Sequence, residues 1–121
     1  MVAENFGADC RPLAGTDFGQ FQVVINATPL GMRGELESQT IAEAEQLRGV
    51  RLAYDLVYNP LETRFLREAR AAGAETLSGI EMLIAQAIEQ FKLWTSRQPD
   101  VEVMRRAAIS ALAVEGRTSR I

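Results

Sequence analysis

Val50-Arg51-Leu52-Ala53-Tyr54-Asp55-Leu56-Val57-Tyr58-Asn59-Pro60-Leu61-Glu62-Thr63 runs from an apolar strand pattern into a polar turn carrying proline. Gly49 leads into it, and residues 50–54 are predicted as a strand. Asn59-Pro60 begins the next turn. Pro60 suits a first helical position, and Asn59 and Thr63 are rival caps. Leu61, Phe65, Leu66 and Ala69 then recur at helical spacing until Gly73 ends the helix.

The same alternation extends in both directions. Upstream, Phe21-Gln22-Val23-Val24-Ile25 is a β-branched run ending at Asn26, a second strand. Thr28-Pro29 and Gly31 then forbid a simple helix or strand, because proline lacks an N–H and restricts its predecessor. Residues 34–40 read as a mobile polar loop, and 41–47 as a short helix capped by Thr40. Residues 1–7 resemble the tail of a helix stopped by Gly7, and their abrupt start suggests an upstream portion. Ala8 to Leu13 could hold a short strand, and Gly15 to Gln20 a loop. Downstream, Ala74 to Leu77 is a third strand of the main series.

Residues 79–95 give the strongest periodicity. Ile80, Leu83, Ile84, Ala87, Ile88, Phe91 and Trp94 form one apolar stripe at helical spacing. Pro99 breaks it. A last helix over about 100–114 is expected to bury Val101, Met104, Ala108 and Leu112, and 116–121 to fray. Strand and helix alternate, which implies an α/β fold with parallel strands and crossover helices. The two closing helices have no strand between them.

Composition narrows the function classes. The 121 residues carry a net charge of −3 and are 47% hydrophobic, within the range of one modest globular domain. Scattered arginines with a single lysine, Lys92, argue against a nucleic-acid partner. With no histidine, no imidazole can serve as base, acid or metal ligand. Cys10 is the only cysteine, which excludes an internal disulfide and a cysteine zinc site and is compatible with a reducing cytoplasm. No apolar stretch reaches the ~18 residues of a membrane span, and the N-terminus lacks the pattern of a signal peptide.

Three strand ends carry polar groups: Asn26-Ala27-Thr28-Pro29, then Tyr54-Asp55 with Tyr58-Asn59, then the start of the long helix at Gly79. Ligands of open α/β sheets bind outside the carboxyl ends of the strands. Each segment also has a plainer reading. Asn26 to Pro29 can be a polar turn, Asp55 a turn cap, and Tyr58 a surface residue. Gln86 interrupts Met82-Leu83-Ile84-Ala85-Gln86-Ala87-Ile88. It is either a half-buried amide that needs a partner or a helix-surface glutamine. Glu62, Glu81, Glu89 and Lys92 read as solvated helix residues. Gly31-Met32-Arg33-Gly34 does not fit a phosphate-binding glycine pattern.

In order and spacing, Asn26–Met32, Tyr54–Thr63 and Leu77–Ala87 together resemble the C-terminal half of the shikimate dehydrogenase family, over residues 4–115. The resemblance implies a partial Rossmann-like parallel sheet flanked by helices. Residues 1–78 would be the C-terminal part of an NADP-binding domain. Residues 79–121 would be closing helices and tail that pack on a missing substrate domain. It also implies NADPH-dependent reduction of 3-dehydroshikimate to shikimate, in aromatic amino-acid biosynthesis. Asn26, Ala27 and Thr28 would line the cofactor side. Leu56 and Gly79 would present their backbones to the nicotinamide amide, with Met82 near the ring. Tyr58 and Gln86 would hydrogen-bond shikimate.

The family's catalytic lysine and aspartate, its Gly-rich loop and its 2′-phosphate-reading stretch match nothing here. The resemblance therefore implies a chain without turnover of its own and with little NADP affinity. Glu81, where monofunctional enzymes often carry glycine, is more similar to fused 3-dehydroquinate dehydratase/shikimate dehydrogenase proteins. Two other readings stay open: a stand-alone binding or regulatory module, and a quinate/shikimate dehydrogenase using NAD. An unpaired sheet edge and two partnerless helices predict self-association.

Overall fold

A computed structural model describes residues 2–118. Three strands form one parallel sheet: β1 (Val23–Asn26), β2 (Leu52–Asp55) and β3 (Glu75–Leu77), in the order β1-β2-β3. The helices are α1 (Val2–Asn5), α2 (Arg64–Ala71), α3 (Gly79–Thr95) and α4 (Val101–Thr118). Two short 3-10 turns, Phe18–Gln20 and Ala44–Leu47, complete the chain.

The strands alternate between the two faces of the sheet, as their backbone dictates. Val24 and Ala53 point to the face covered by α2 and the Ala44–Leu47 turn, where they join Phe65, Leu66, Ala69 and Leu47 in the core. Phe65 and Leu47 are wholly buried. Truncating Phe65 to alanine would cost about 3–5 kcal/mol, the usual loss for a buried aromatic. The opposite face is bare at its edge: Val23 and Ile25 are 50% and 52% exposed. The register sets Val23 beside Leu52, Ile25 beside Tyr54, and Asn26 beside Asp55.

Several local expectations are corrected. Residues 8–13 form no strand. Thr40 caps no helix: its hydroxyl bonds Ala42, and the later turn is closed by Glu43 N–H donating to Gln46 Oε1 at 3.0 Å. The rivalry between Asn59 and Thr63 goes to Thr63, whose Oγ1 accepts the Leu66 N–H at 3.3 Å. That fixes the helix start at Arg64, so Pro60 lies in the preceding turn, behind a cis peptide bond, rather than at a first helical position.

The long stripe on α3 is only half used. Ile80 and Ile84 are buried, while Trp94 is 77% exposed. The exposed large apolar residues lie in the last turn of α3, where Leu93 and Trp94 stand in solvent. The helix closes at Ser96, which takes the left-handed conformation. α4 packs against α3, where Arg105 bonds Glu81. Met104, Ala108 and Leu112 are half-buried, but Val101 is exposed, a correction to its expected burial. The expected fraying at 116–118 is not seen, since α4 continues through Thr118, and 119–121 lie outside the described residues.

The exposed β1 edge with Val23 and Ile25 leads to a measurable expectation. The 121-residue chain should self-associate at micromolar concentration, and Ile25→Lys should reduce that association, because an edge charge opposes strand pairing. Sedimentation velocity reads both, and a clean wild-type monomer would sink the idea.

Candidate functional site

The site begins with a buried carboxylate. Asp55 ends β2 with no exposure to solvent, beside an equally buried Asn26 at the end of β1. A buried charge must be met by donors. Asp55 Oδ1 accepts from Asn26 Nδ2 at 3.0 Å and from the Val57 N–H at 2.9 Å. Thr63 Oγ1 donates to Oδ2. Burial pushes the Asp55 carboxyl above its usual range, and the bonds from Thr63, Val57 and Asn26 oppose that rise. Asn26 works in both directions: Nδ2 also donates to the Leu30 carbonyl at 3.0 Å, while Oδ1 accepts the Thr28 N–H at 3.0 Å and its hydroxyl at 2.7 Å. Asn26 and Asp55 thus hold the loops leaving β1 and β2 side by side.

Above this layer those loops open into a cavity of about 600 Å³. Ala27, Thr28 and Met32 line it from the first loop, Leu56 and Tyr58 from the second, and Leu112 and Glu115 from α4. Tyr58 is 40% exposed. The third strand end contributes the start of α3. Gly79 is buried so tightly that a Cβ there would lie 2.5 Å from the Leu56 carbonyl oxygen. Only glycine lets α3 begin at this distance from the β2 loop. Ser78 gives the first turn of α3 no side-chain cap, and its hydroxyl donates instead to Leu61 O at 2.9 Å.

Among the residues singled out in the sequence, Ala27, Thr28, Leu56 and Tyr58 therefore share one cavity. Asn26 lies beneath it, and Gly79 packs against its Leu56 wall. Met82 and Gln86 sit on α3 outside the lining. Gln86 is exposed, so of the two readings left open for it the helix-surface glutamine is the one seen in this chain. Of the charged residues read as solvated, Glu62 and Glu89 are exposed, while Glu81 and Lys92 are half-buried. Glu62 pairs with Arg70, Glu81 with Arg105, and Lys92 with Glu89 at 2.8 Å. Among the described residues no cluster of acidic, cysteine or histidine side chains could hold a metal ion, and no helix is long and apolar enough to cross a membrane.

Sequence reasoning missed the reach of α4. Asn59 Oδ1 accepts from Arg33 Nε at 2.8 Å, and Asn59 Nδ2 donates to Glu115 Oε2 at 3.0 Å. No local pattern signals a contact between residues so distant in sequence.

Residues 79–109 match the family described as the shikimate 5'-dehydrogenase C-terminal domain. A shikimate dehydrogenase (NADP(+)) of Archaeoglobus fulgidus is 49% identical over 94 residues, covering 78% of this chain and 35% of that protein. The chain belongs to the shikimate dehydrogenase family. It corresponds to the C-terminal portion and spans about a third of the length of that relative. The fold agrees. The Thermus thermophilus shikimate 5-dehydrogenase, solved with NADP(H) and shikimate, superposes with a TM-score of 0.77 at 40% identity, over 91% of this chain and 41% of that one. A quinate dehydrogenase from Corynebacterium glutamicum, solved with NAD, gives 0.75 at 34% identity, over 90% and 40%.

Two stability tests follow from the strand-end geometry. Asp55→Ala strands three buried donors and should cost about 3 kcal/mol in urea unfolding. The sign for pH runs against the usual carboxylate. Because the folded carboxyl titrates above its unfolded value, its contribution is fully present below the unfolded pKa and is lost as pH rises through the folded pKa. The stability of wild type relative to Asp55→Asn should therefore fall as pH is raised through that window. For Gly79→Ala, the usual gain of about 0.5–1 kcal/mol for glycine to alanine in a helix should reverse to a loss of about 1–3 kcal/mol from overpacking. A raised urea midpoint would contradict the close packing.

Proposed function

We propose that this chain forms the strand-end wall of an NADP-dependent shikimate dehydrogenase, and that by itself it does not turn over. The observation that carries the reading is the convergence of Ala27, Thr28, Leu56 and Tyr58 on one cavity at the carboxyl ends of parallel strands, where open α/β sheets take ligands. Its relatives are named shikimate dehydrogenase (NADP(+)), and one neighbour was solved with NADP(H) and shikimate.

The residues fit a nicotinamide cofactor. Small side chains at Ala27 and Thr28 admit a ligand close to the backbone. Gly79 sets an uncapped helix start against the Leu56 carbonyl, so amide donors and a carbonyl acceptor lie together, as a carboxamide requires. When bound, NADPH would supply the hydride that reduces the C3 carbonyl of dehydroshikimate. Leu56 and Gly79 would orient the carboxamide through their backbones, and Met82 would pack near the ring. The Tyr58 hydroxyl and the Gln86 amide would hold the substrate. The exposure of Gln86 suits a residue whose partner is a ligand or another part of a longer protein. Proton transfer would fall to a lysine and aspartate that this chain does not carry. Residues 1–78 would then complete the cofactor domain, and α3 and α4 would face the substrate domain with their apolar residues. A cytoplasmic setting suits an exposed, unpaired Cys10.

The quinate dehydrogenase neighbour supports a second reading with quinate as substrate. One experiment addresses both. Residues 4–115 are joined to the N-terminal portion of the Archaeoglobus fulgidus enzyme, and NADP+ reduction is followed with shikimate and with quinate. The chimera should oxidise shikimate in preference to quinate, while the 121-residue chain should do neither. Tyr58→Phe in the chimera should lower kcat/KM about 10- to 100-fold, the loss of roughly 1.4–2.7 kcal/mol of binding in the transition state. A folded chimera without activity on shikimate would refute the proposal, and a preference for quinate would install the second reading.

A further inference from the structure

Asn59 follows Tyr58 directly and is held from both sides. Arg33 Nε donates to its Oδ1 at 2.8 Å, and the Arg33 backbone N–H donates to its carbonyl at 2.8 Å. On the far side its Nδ2 donates to Glu115 Oε2 at 3.0 Å. One side chain thus joins three segments: the loop after β1, the loop after β2 and the end of α4. A second contact follows the same line. The Arg33 guanidinium lies over Gly116, its Nη2 atom 3.5 Å from where a Cβ would stand. A cation at the carboxyl end of a helix is favoured by the helix dipole, so Arg33 draws the last turns of α4 toward the loop.

We infer that Asn59 is a positioning residue, which sets Tyr58 in the cavity wall and couples it to the last helix through Arg33 and Glu115. The chemistry fits an amide and no other side chain of that length. The carbonyl oxygen meets a guanidinium donor, while the NH₂ group meets a carboxylate. Aspartate would keep the first bond and set two carboxylates face to face at the second. Leucine would keep neither. Leu112 and Glu115 line the same cavity as Tyr58, so a displacement of α4 and a displacement of Tyr58 change one shared volume. The role of Tyr58 as a ligand contact rests on the function proposed above; the coupling itself is a property of this chain.

The test therefore uses the 121-residue chain without ligand, and its failure is separable from failure of the chimera. The protein is labelled with 3-fluorotyrosine, which gives two fluorine signals, for Tyr54 and Tyr58. Amide exchange of residues 109–116 is followed in parallel. Asn59→Ala should shift the Tyr58 signal, leave that of Tyr54 in place, and speed exchange in α4 roughly three- to tenfold, the scale of one or two lost hydrogen bonds. Asn59→Asp should do the same to α4, and Glu115→Gln added to it should restore the slower exchange, since the amide can donate to the new carboxylate. Glu115→Ala, at an exposed helix position, reads the coupling without changing a residue of the loop and should also move the Tyr58 signal. If Asn59→Ala leaves both readouts unchanged, or accelerates exchange uniformly with a lowered urea midpoint, Asn59 is not a positioning residue. A Tyr58 signal indifferent to Glu115→Ala would break the link to α4.

Discussion

Asp55 is a carboxylate with no access to water, and the strand-end architecture follows from what it must be given. Its two oxygens take an amide from β1, a backbone N–H from its own loop and the hydroxyl that begins α2. Removing the Thr63 hydroxyl leaves Oδ2 without this donor, and a buried polar group left unmet costs more than the bond contributes. The consequence is geometric. Asn26 must sit in register with Asp55, Val57 must turn back over the strand, and Thr63 must face inward at the start of α2. Three elements are fixed relative to one another at the point where the loops leave the sheet.

The apolar core lies behind that polar layer and the cavity lies in front of it. Phe65 and Leu66 follow Thr63 by two and three residues, so the cap that satisfies Asp55 also aims the buried face of α2 at Ala53 and Val24. Gly79 performs a similar service for α3 by contact rather than by hydrogen bonding, since any side chain would collide with the Leu56 carbonyl. The site is therefore assembled from backbone placement. The surfaces left bare lie elsewhere: one face of β1 and the outer turns of α3, where Trp94 and Leu93 stand in solvent.

Much of this was legible in the sequence, for physical reasons that differ by element. The strands β1 and β2 are short apolar runs ending in Asn26 and Asp55, and their parallel pairing follows from the helix between β2 and β3 and the long loop between β1 and β2. The α3 helix announces itself by period, yet the same period overstated its burial, because a stripe records what a helix can cover and not what lies opposite. Gln86, open in the sequence between a half-buried amide and a surface glutamine, was decided in the same way, by what lies opposite the helix. Rival caps at Asn59 and Thr63 were indistinguishable locally. The decision rested on Asp55, eight residues before Thr63, a tertiary demand that capping preferences do not contain. The bridge from Arg33 through Asn59 to Glu115 had no signal in the sequence, since it joins three segments with no shared pattern.

The polar layer of Asn26, Asp55 and Thr63 also separates two kinds of residue. Side chains that face the cavity, such as Thr28, Met32 and Tyr58, make no part of the apolar cluster around Phe65. Substitutions there meet the layer before they meet the core. A sheet arranged in this way can exchange one ligand for another through its loops while the interior beneath stays the same, so changes of specificity and changes of stability are open to selection largely independently.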